Sequence, residues 1–73
     1  MNAQARYEEL GMVLLVEVLD EWITGSTEGY DLKVMKVERI SPFMKEDHPI
    51  EGQEFRVLHN RKRTSRMWTL KRV

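Results

Sequence analysis

The segment Met12–Ile23 constrains the fold more than any other part of the chain. It is rich in Val, Leu, Ile and Trp and contains neither Gly nor Pro, a composition typical of a β-strand. Its first half is apolar on both faces, whereas Glu17 and Glu21 interrupt one face of its second half. Twelve residues are about twice the usual strand length. We therefore predict a long strand in a strongly curved sheet.

A second long strand is predicted to follow after a turn. Residues 24–29 read Thr-Gly-Ser-Thr-Glu-Gly, and Tyr30–Ile40 then resumes an alternation of apolar and polar side chains. The short connection implies that the second strand is antiparallel to the first. The apolar pattern shifts between Val34 and Met35, which predicts a β-bulge near these residues.

The segments before and after these strands are less regular. Residues 1–11 contain good helix formers ahead of Gly11, so we expect them to form a short helix or to fray. The connection from residue 41 to residue 53 is long. Within it, Phe43 and Met44 are expected to pack under the sheet, and Gly52 is expected to adopt a positive φ in a turn.

Two further strands, Glu54–Asn60 and Ser65–Arg72, are predicted to pair as a hairpin. Their connection is the basic tip, Arg61-Lys62-Arg63-Thr64. On the inner face of this hairpin, the alternation places four apolar side chains: Phe55, Val57, Trp68 and Leu70.

Together these segments predict a single small all-β domain over residues 1–73, with residues 1–11 helical or frayed. The expected architecture is an antiparallel barrel of four or five strands, SH3-like or OB-like in type. A fifth strand would arise if the long first strand bends and pairs on both sides. An open four-stranded β-meander is the alternative.

The chain's size and composition narrow the class of protein. A chain of 73 residues buries only about 60% of its unfolded surface, so its core is thin and dimerisation would supplement it. The absence of cysteine excludes a disulfide framework and a thiolate zinc site. We find no signal-peptide pattern, and the longest apolar run is Met12–Val16, so we expect a cytoplasmic protein that does not cross a membrane.

The charges are strongly segregated along the sequence. Residues 55–73 hold seven Lys or Arg and no acid, whereas residues 1–54 hold twelve acids and five bases. The net charge of zero is therefore −7 on one segment and +7 on the other. A basic ridge of this kind can bind the phosphates of nucleic acid through release of counterions.

One functional hypothesis is therefore a small binding module, without enzymatic activity, that contacts nucleic-acid phosphates or another polyanion through this hairpin. The candidate nucleic-acid-binding residues are Arg61, Lys62, Arg63, Arg66, Lys71 and Arg72. We interpret Trp68 and Phe55 as core residues, so phosphate contact is favoured over stacking on bases.

The alternative hypothesis is a protein-interaction or assembly domain, either a homodimer or a subunit of a complex. In that case the basic side chains are neutralised by the chain's own acids. Arg56 and Arg66, for instance, could pair with Glu17, Glu21 or Glu38 on neighbouring strands.

Catalysis has little support in the sequence. His48 and His59 lie in different segments and lack the spacing of a metal motif. No nucleophile motif and no Gly-rich phosphate loop is present. We therefore predict no catalytic residue, no metal and no cofactor.

Overall fold

The computed structural model describes residues 3–43 and 48–73, which contain five antiparallel β-strands in one sheet. The strands are β1 (Gln4–Glu9), β2 (Met12–Thr24), β3 (Thr27–Arg39), β4 (Glu54–Asn60) and β5 (Trp68–Arg72). Their order across the sheet is β4-β3-β2-β1-β5, so β1 to β4 form a meander and β5 returns beside β1. The prediction of an all-β fold is confirmed. Among the described residues, no helix is long and apolar enough to span a membrane.

The predicted N-terminal helix is wrong, because this segment forms the strand β1. Ala5 and Tyr7 are buried while the residues between and around them are exposed, which is the period of a strand. β1 pairs with β2 on one side and with β5 on the other, and this pairing overrides a weak helix propensity. Leu10 and Gly11, with φ of 50° and 86°, form the tight turn into β2 instead of ending a helix.

The two long antiparallel strands are confirmed. β2 and β3 contain 13 residues each and form a hairpin whose turn, Gly25 and Ser26, is shorter than predicted. The register shifts at three points along this pair. At one of them Met35 is the extra residue on β3, which confirms the predicted bulge. Bulges increase the local bend and twist of a strand, so they allow this long hairpin to curl.

The predicted hairpin of the last two strands is wrong. β4 has the predicted bounds, but it pairs with β3, whereas β5 pairs with β1 at the opposite edge of the sheet. The last strand also begins at Trp68 instead of Ser65, so residues 61–67 are a connection between two edges. The physical reason is that β1 supplies the backbone partner of β5.

The predicted SH3-like or OB-like barrel is not supported: the sheet curls but does not close, because no ladder joins β4 to β5 in the part of the chain that the structure describes. Aromatic side chains from the two edges meet in the core. The Tyr7 ring stacks on Trp68 at 5.9 Å and contacts Phe55 edge-on at 5.3 Å. The buried core consists of Ala5, Tyr7, Met12, Leu14, Val16, Val18, Leu32, Val34, Val57 and Trp68, with Phe55 and Leu70 packed against it. The predicted inner faces of β4 and β5 are therefore confirmed.

The connection after β3 begins with a buried serine. The Ser41 hydroxyl donates to the carbonyl of Leu10 at 2.7 Å and accepts from the Phe43 N–H at 3.2 Å. This turn directs Phe43 outward, where it is 80% exposed, so the prediction that Phe43 packs under the sheet is wrong. Met44, for which the same was predicted, lies outside the described residues. The predicted positive φ of Gly52 is confirmed, at 86°.

Candidate functional site

The basic tip is held in place although it does not belong to a hairpin. The Arg61 N–H donates to the Ser26 carbonyl at 2.6 Å, which fixes the tip beside the turn between β2 and β3. The Arg63 N–H donates to the Asn60 carbonyl, and the Lys62 N–H donates to Asn60 Oδ1, both at 3.0 Å. The backbone is thus ordered by three hydrogen bonds, while the side chains of the tip are exposed.

Three of the six candidate residues remain together as uncompensated cations. Arg61, Lys62 and Arg63 form no ion pair with any residue in ranges 3–43 and 48–73. Lys71 is also without an ion pair among those residues, but it lies on edge strand β5, opposite Arg6 of β1. The structure therefore groups the three cations of the tip and places Lys71 separately from them.

The other two candidates take part in ion pairs that link distant strands. Arg66 Nη2 lies 2.7 Å from Glu28 Oε1, and its guanidinium lies 4.8 Å from the centre of the Trp68 ring. Arg72 Nη2 lies 2.6 Å from Glu21 Oε2. The acids belong to β2 and β3, so both arginines join the C-terminal segment to the middle of the sheet. Their charges are compensated within the chain.

Arg56 is compensated as well, by Asp31 across the β3–β4 pair. Its Nε lies 2.8 Å from Asp31 Oδ1, and its guanidinium lies 4.9 Å from the Trp22 ring. The hydrogen bond and charge of Asp31 raise the pKa of Arg56, with a smaller contribution from Asp20. The expected neutralisation of Arg56 and Arg66 is thus confirmed, but their partners are Asp31 and Glu28 instead of the glutamates predicted.

A polar groove of about 370 Å³ lies beside the tip. Its lining includes Arg63 and Arg66 together with His59, Ser65 and Glu9. Trp68 forms part of the floor, but it is only 7% exposed, because it is packed among Tyr7, Tyr30, His59 and Arg66. The groove offers charged and hydrogen-bonding groups but no open aromatic ring for a base.

Tyr7 and Glu9 form a second polar element at the margin of the core. The Tyr7 hydroxyl donates to Glu9 Oε1 at 2.8 Å. Burial raises the pKa of Tyr7 well above its ordinary value, and the hydrogen bond and charge of Glu9 raise it further. Both residues line a groove of about 390 Å³ beside β4. This pair was not predicted from the sequence, in which the alternation of Ala5 and Tyr7 is the signal that Tyr7 faces inward.

The two histidines are held by different contacts. His48 Nδ1 lies 2.9 Å from the Pro49 carbonyl, and His59 packs edge-on against Trp68. In the described ranges no group of three or more His, Asp or Glu side chains is arranged to hold a metal ion.

In comparisons with known proteins, no protein-family model, no curated protein and no solved structure matches this chain.

Proposed function

We propose that this chain is a binding module without enzymatic activity that contacts the phosphates of nucleic acid through Arg61, Lys62 and Arg63. The observation that carries the proposal is the tip itself, which presents three adjacent exposed cations without an ion pair among the described residues. Phosphate contacts need positive charge at a fixed position and carry no sequence information themselves.

The order of the tip backbone supports this proposal. Three hydrogen bonds to Ser26 and Asn60 hold the backbone, so binding a phosphate orders only the side chains. Arg66 and Arg72 contribute less, because each must first leave a carboxylate partner. The proposed site is therefore smaller than the set of six residues suggested by the sequence.

Fluorescence anisotropy with labelled single-stranded and duplex oligonucleotides tests the proposal. If binding depends on three phosphate contacts, raising the salt from about 50 to 200 mM should weaken it roughly 40-fold for a duplex and roughly 20-fold for a single strand. The variant R61A/K62A/R63A should bind weakly to every oligonucleotide, with a salt slope reduced by about 1 for each contact removed. The matched control K33A/K36A/R39A removes the same charge from β3 and should retain the parent slope.

Equal loss in the tip variant and the β3 control would mean that net charge, and not the tip, determines binding. An absence of binding by the parent protein at the lower salt would overturn the proposal. Binding is to be measured on variants whose melting curves match the parent, so that unfolding is not mistaken for loss of the site.

The second candidate is a protein-interaction or assembly domain that does not contact nucleic acid. It is supported by two sheet edges that have no strand partner, β4 and β5, and by exposed apolar side chains such as Phe43 and Met67. Under this alternative, the parent and the tip variant would both bind oligonucleotides only at background level. The tip variant would differ from the parent in its capture of a protein partner.

A further inference from the structure

The free edge of β4 carries unpaired backbone groups at known positions. The Trp68 indole donates to the Leu58 carbonyl, so this carbonyl points away from β3 and toward the free side of the strand. Backbone groups alternate in direction along a strand, so Glu54 and Arg56 also direct their N–H and C=O groups outward. None of these groups forms a hydrogen bond with a described residue. Glu54 and Arg56 can therefore accept another strand.

The charges along this edge are complementary to themselves. Glu54 and Arg56 alternate in sign on the exposed face of β4. The edge of β5, in contrast, contains no acidic residue, and its Arg72 is already paired with Glu21. Two β5 edges therefore offer no complementary charges to each other, whereas two antiparallel β4 edges can place each Glu54 opposite an Arg56. Of the two edges, only β4 suits a second copy of this chain.

We infer that two copies of this chain form a two-fold dimer by antiparallel pairing of their β4 strands. In the matching register, Glu54 lies opposite Arg56 of the partner subunit, and the axis passes between the two Phe55 residues. Residues 54 and 56 of each copy then exchange backbone hydrogen bonds. This inference goes beyond the proposed nucleic-acid contact, which involves the other end of the strand.

Arg56 can donate hydrogen bonds both to an acid of its own chain and to an acid of a second copy. It uses Nε and Nη2 to bind Asp31, and a guanidinium has five N–H donors. The remaining donors are available to Glu54 of the partner subunit. The pair with Asp31 also fixes the Arg56 side chain before association, so less side-chain entropy is lost.

The β4 edge lacks two of the features by which proteins block an edge, a bulge and a proline. The β3–β4 pairing shows no register shift over its seven residue pairs, and β4 contains no proline. Leu58 near the end of β4 and Ile50 in the connection before it are 56% and 62% exposed. Edges that must remain single are commonly protected by a bulge, a proline or charged side chains. The two charges on this edge are of opposite sign and can pair with those of a second copy. Regular pairing, alternating charge and flanking apolar side chains favour a partner strand instead.

Sedimentation velocity on the full chain tests the inference through charge reversal. The parent protein should sediment as a dimer that dissociates on dilution across a roughly hundredfold range of concentration. E54R places arginines opposite each other, and R56E places glutamates opposite each other. Each single variant should weaken the dimer by about tenfold or more.

Two combinations separate the dimer contact from the fold. The double variant E54R/R56E should recover the dimer, because the opposite charges are exchanged. An equimolar mixture of E54R and R56E should form a mixed dimer more tightly than either variant dimerises alone. The control E51R changes charge by the same amount as E54R in the turn before β4 and should leave the dimer intact.

R56E also removes the pair with Asp31, so circular dichroism must show that it is folded. If it is unfolded, E54R and the parent protein still test the inference. A parent protein that stays monomeric at the highest concentration would overturn it. So would an E54R variant that dimerises as strongly as the parent.

Discussion

The Trp68 indole Nε1 donates to the carbonyl oxygen of Leu58 at 3.3 Å, and this bond joins two strands that share no ladder. Trp68 begins β5 at one edge of the sheet, and Leu58 belongs to β4 at the other. The same ring stacks on Tyr7 and lies under Arg66. The buried Trp68 side chain therefore links the two edges of the curled sheet where backbone pairing is absent.

Replacing Trp68 should therefore open the edge of the sheet. We expect W68F to lower the free energy of unfolding by about 1–3 kcal/mol, because it loses the hydrogen bond and part of the packed ring. Urea unfolding followed by circular dichroism measures the change. M67A is the control, since Met67 is 73% exposed and should change stability by less than about 0.5 kcal/mol. An unchanged free energy of unfolding in W68F would mean that the Trp68 ring does not stabilise the contact between the two edges.

Gly29 should not tolerate a side chain while Trp22 is present. A methyl group at Gly29 would lie 2.4 Å from Trp22 Cζ2, because the indole ring covers this glycine across the β2–β3 pair. We expect G29A to destabilise the protein by about 1–3 kcal/mol through overpacking.

A double-mutant cycle with W22A identifies the cause of that loss. G29A should lower the free energy of unfolding much less in the W22A background than in the parent, because the clashing ring is gone. Equal costs in both backgrounds would assign the effect to the backbone of Gly29 and contradict the steric explanation.

Tyr7 should make the protein sensitive to alkali. Its pKa is raised in the folded state by burial and by Glu9, so folding favours the protonated phenol. The resulting stability is fully present below the unfolded pKa of about 10 and is lost as pH rises above it. Urea unfolding at about pH 8 and 11 should show this loss in the parent and a smaller loss in Y7F.

Y30F is the control for this titration, because it removes a tyrosine whose hydroxyl has no hydrogen bond to a described residue. Y30F should lose as much stability at alkaline pH as the parent does. An identical pH dependence in Y7F and Y30F would show that Tyr7 is not the group responsible.

Releasing Arg66 from Glu28 should strengthen the proposed phosphate site. The two side chains are 33% and 19% exposed, and their ion pair competes with any phosphate for the guanidinium. We expect E28Q to bind an oligonucleotide roughly three- to tenfold more tightly at low salt, with a steeper salt slope. The measurement is the same anisotropy titration.

The matched control for this effect is E51Q, which removes one negative charge from the turn before β4. It should change affinity much less, because Glu51 forms no ion pair with a described residue. Equal gains in both variants would indicate a general effect of net charge.

Much of the fold could be predicted because local patterns were strong. Met12–Ile23 predicted β2 almost to its last residue, and the pattern shift at Met35 located a bulge. The alternation of Phe55 and Val57 located the inner face of β4. Residues 4–9 were assigned wrongly, because a short segment with good helix formers has no local signal that competes with two strand partners. Phe43 was placed inside although a buried serine turns it outward.

The candidate site was predictable in composition but not in geometry. The sequence placed seven basic residues in one segment, but it could not show which of them meet acids from distant strands. Arg66 and Glu28 are 38 positions apart, and Arg72 and Glu21 are 51 apart. Such pairs depend on the order of strands, which sets the positions of charges in space.

The sequence by itself determined the all-β class, the two long strands and the inward faces of β4 and β5, because these follow from the period of apolar side chains within one segment. Only the tertiary structure decided that β4 and β5 lie at opposite edges, that two candidate arginines are neutralised, and that three cations stay together at the tip. The reason is that strand order and ion pairing are set by long-range contacts, which a local pattern does not record.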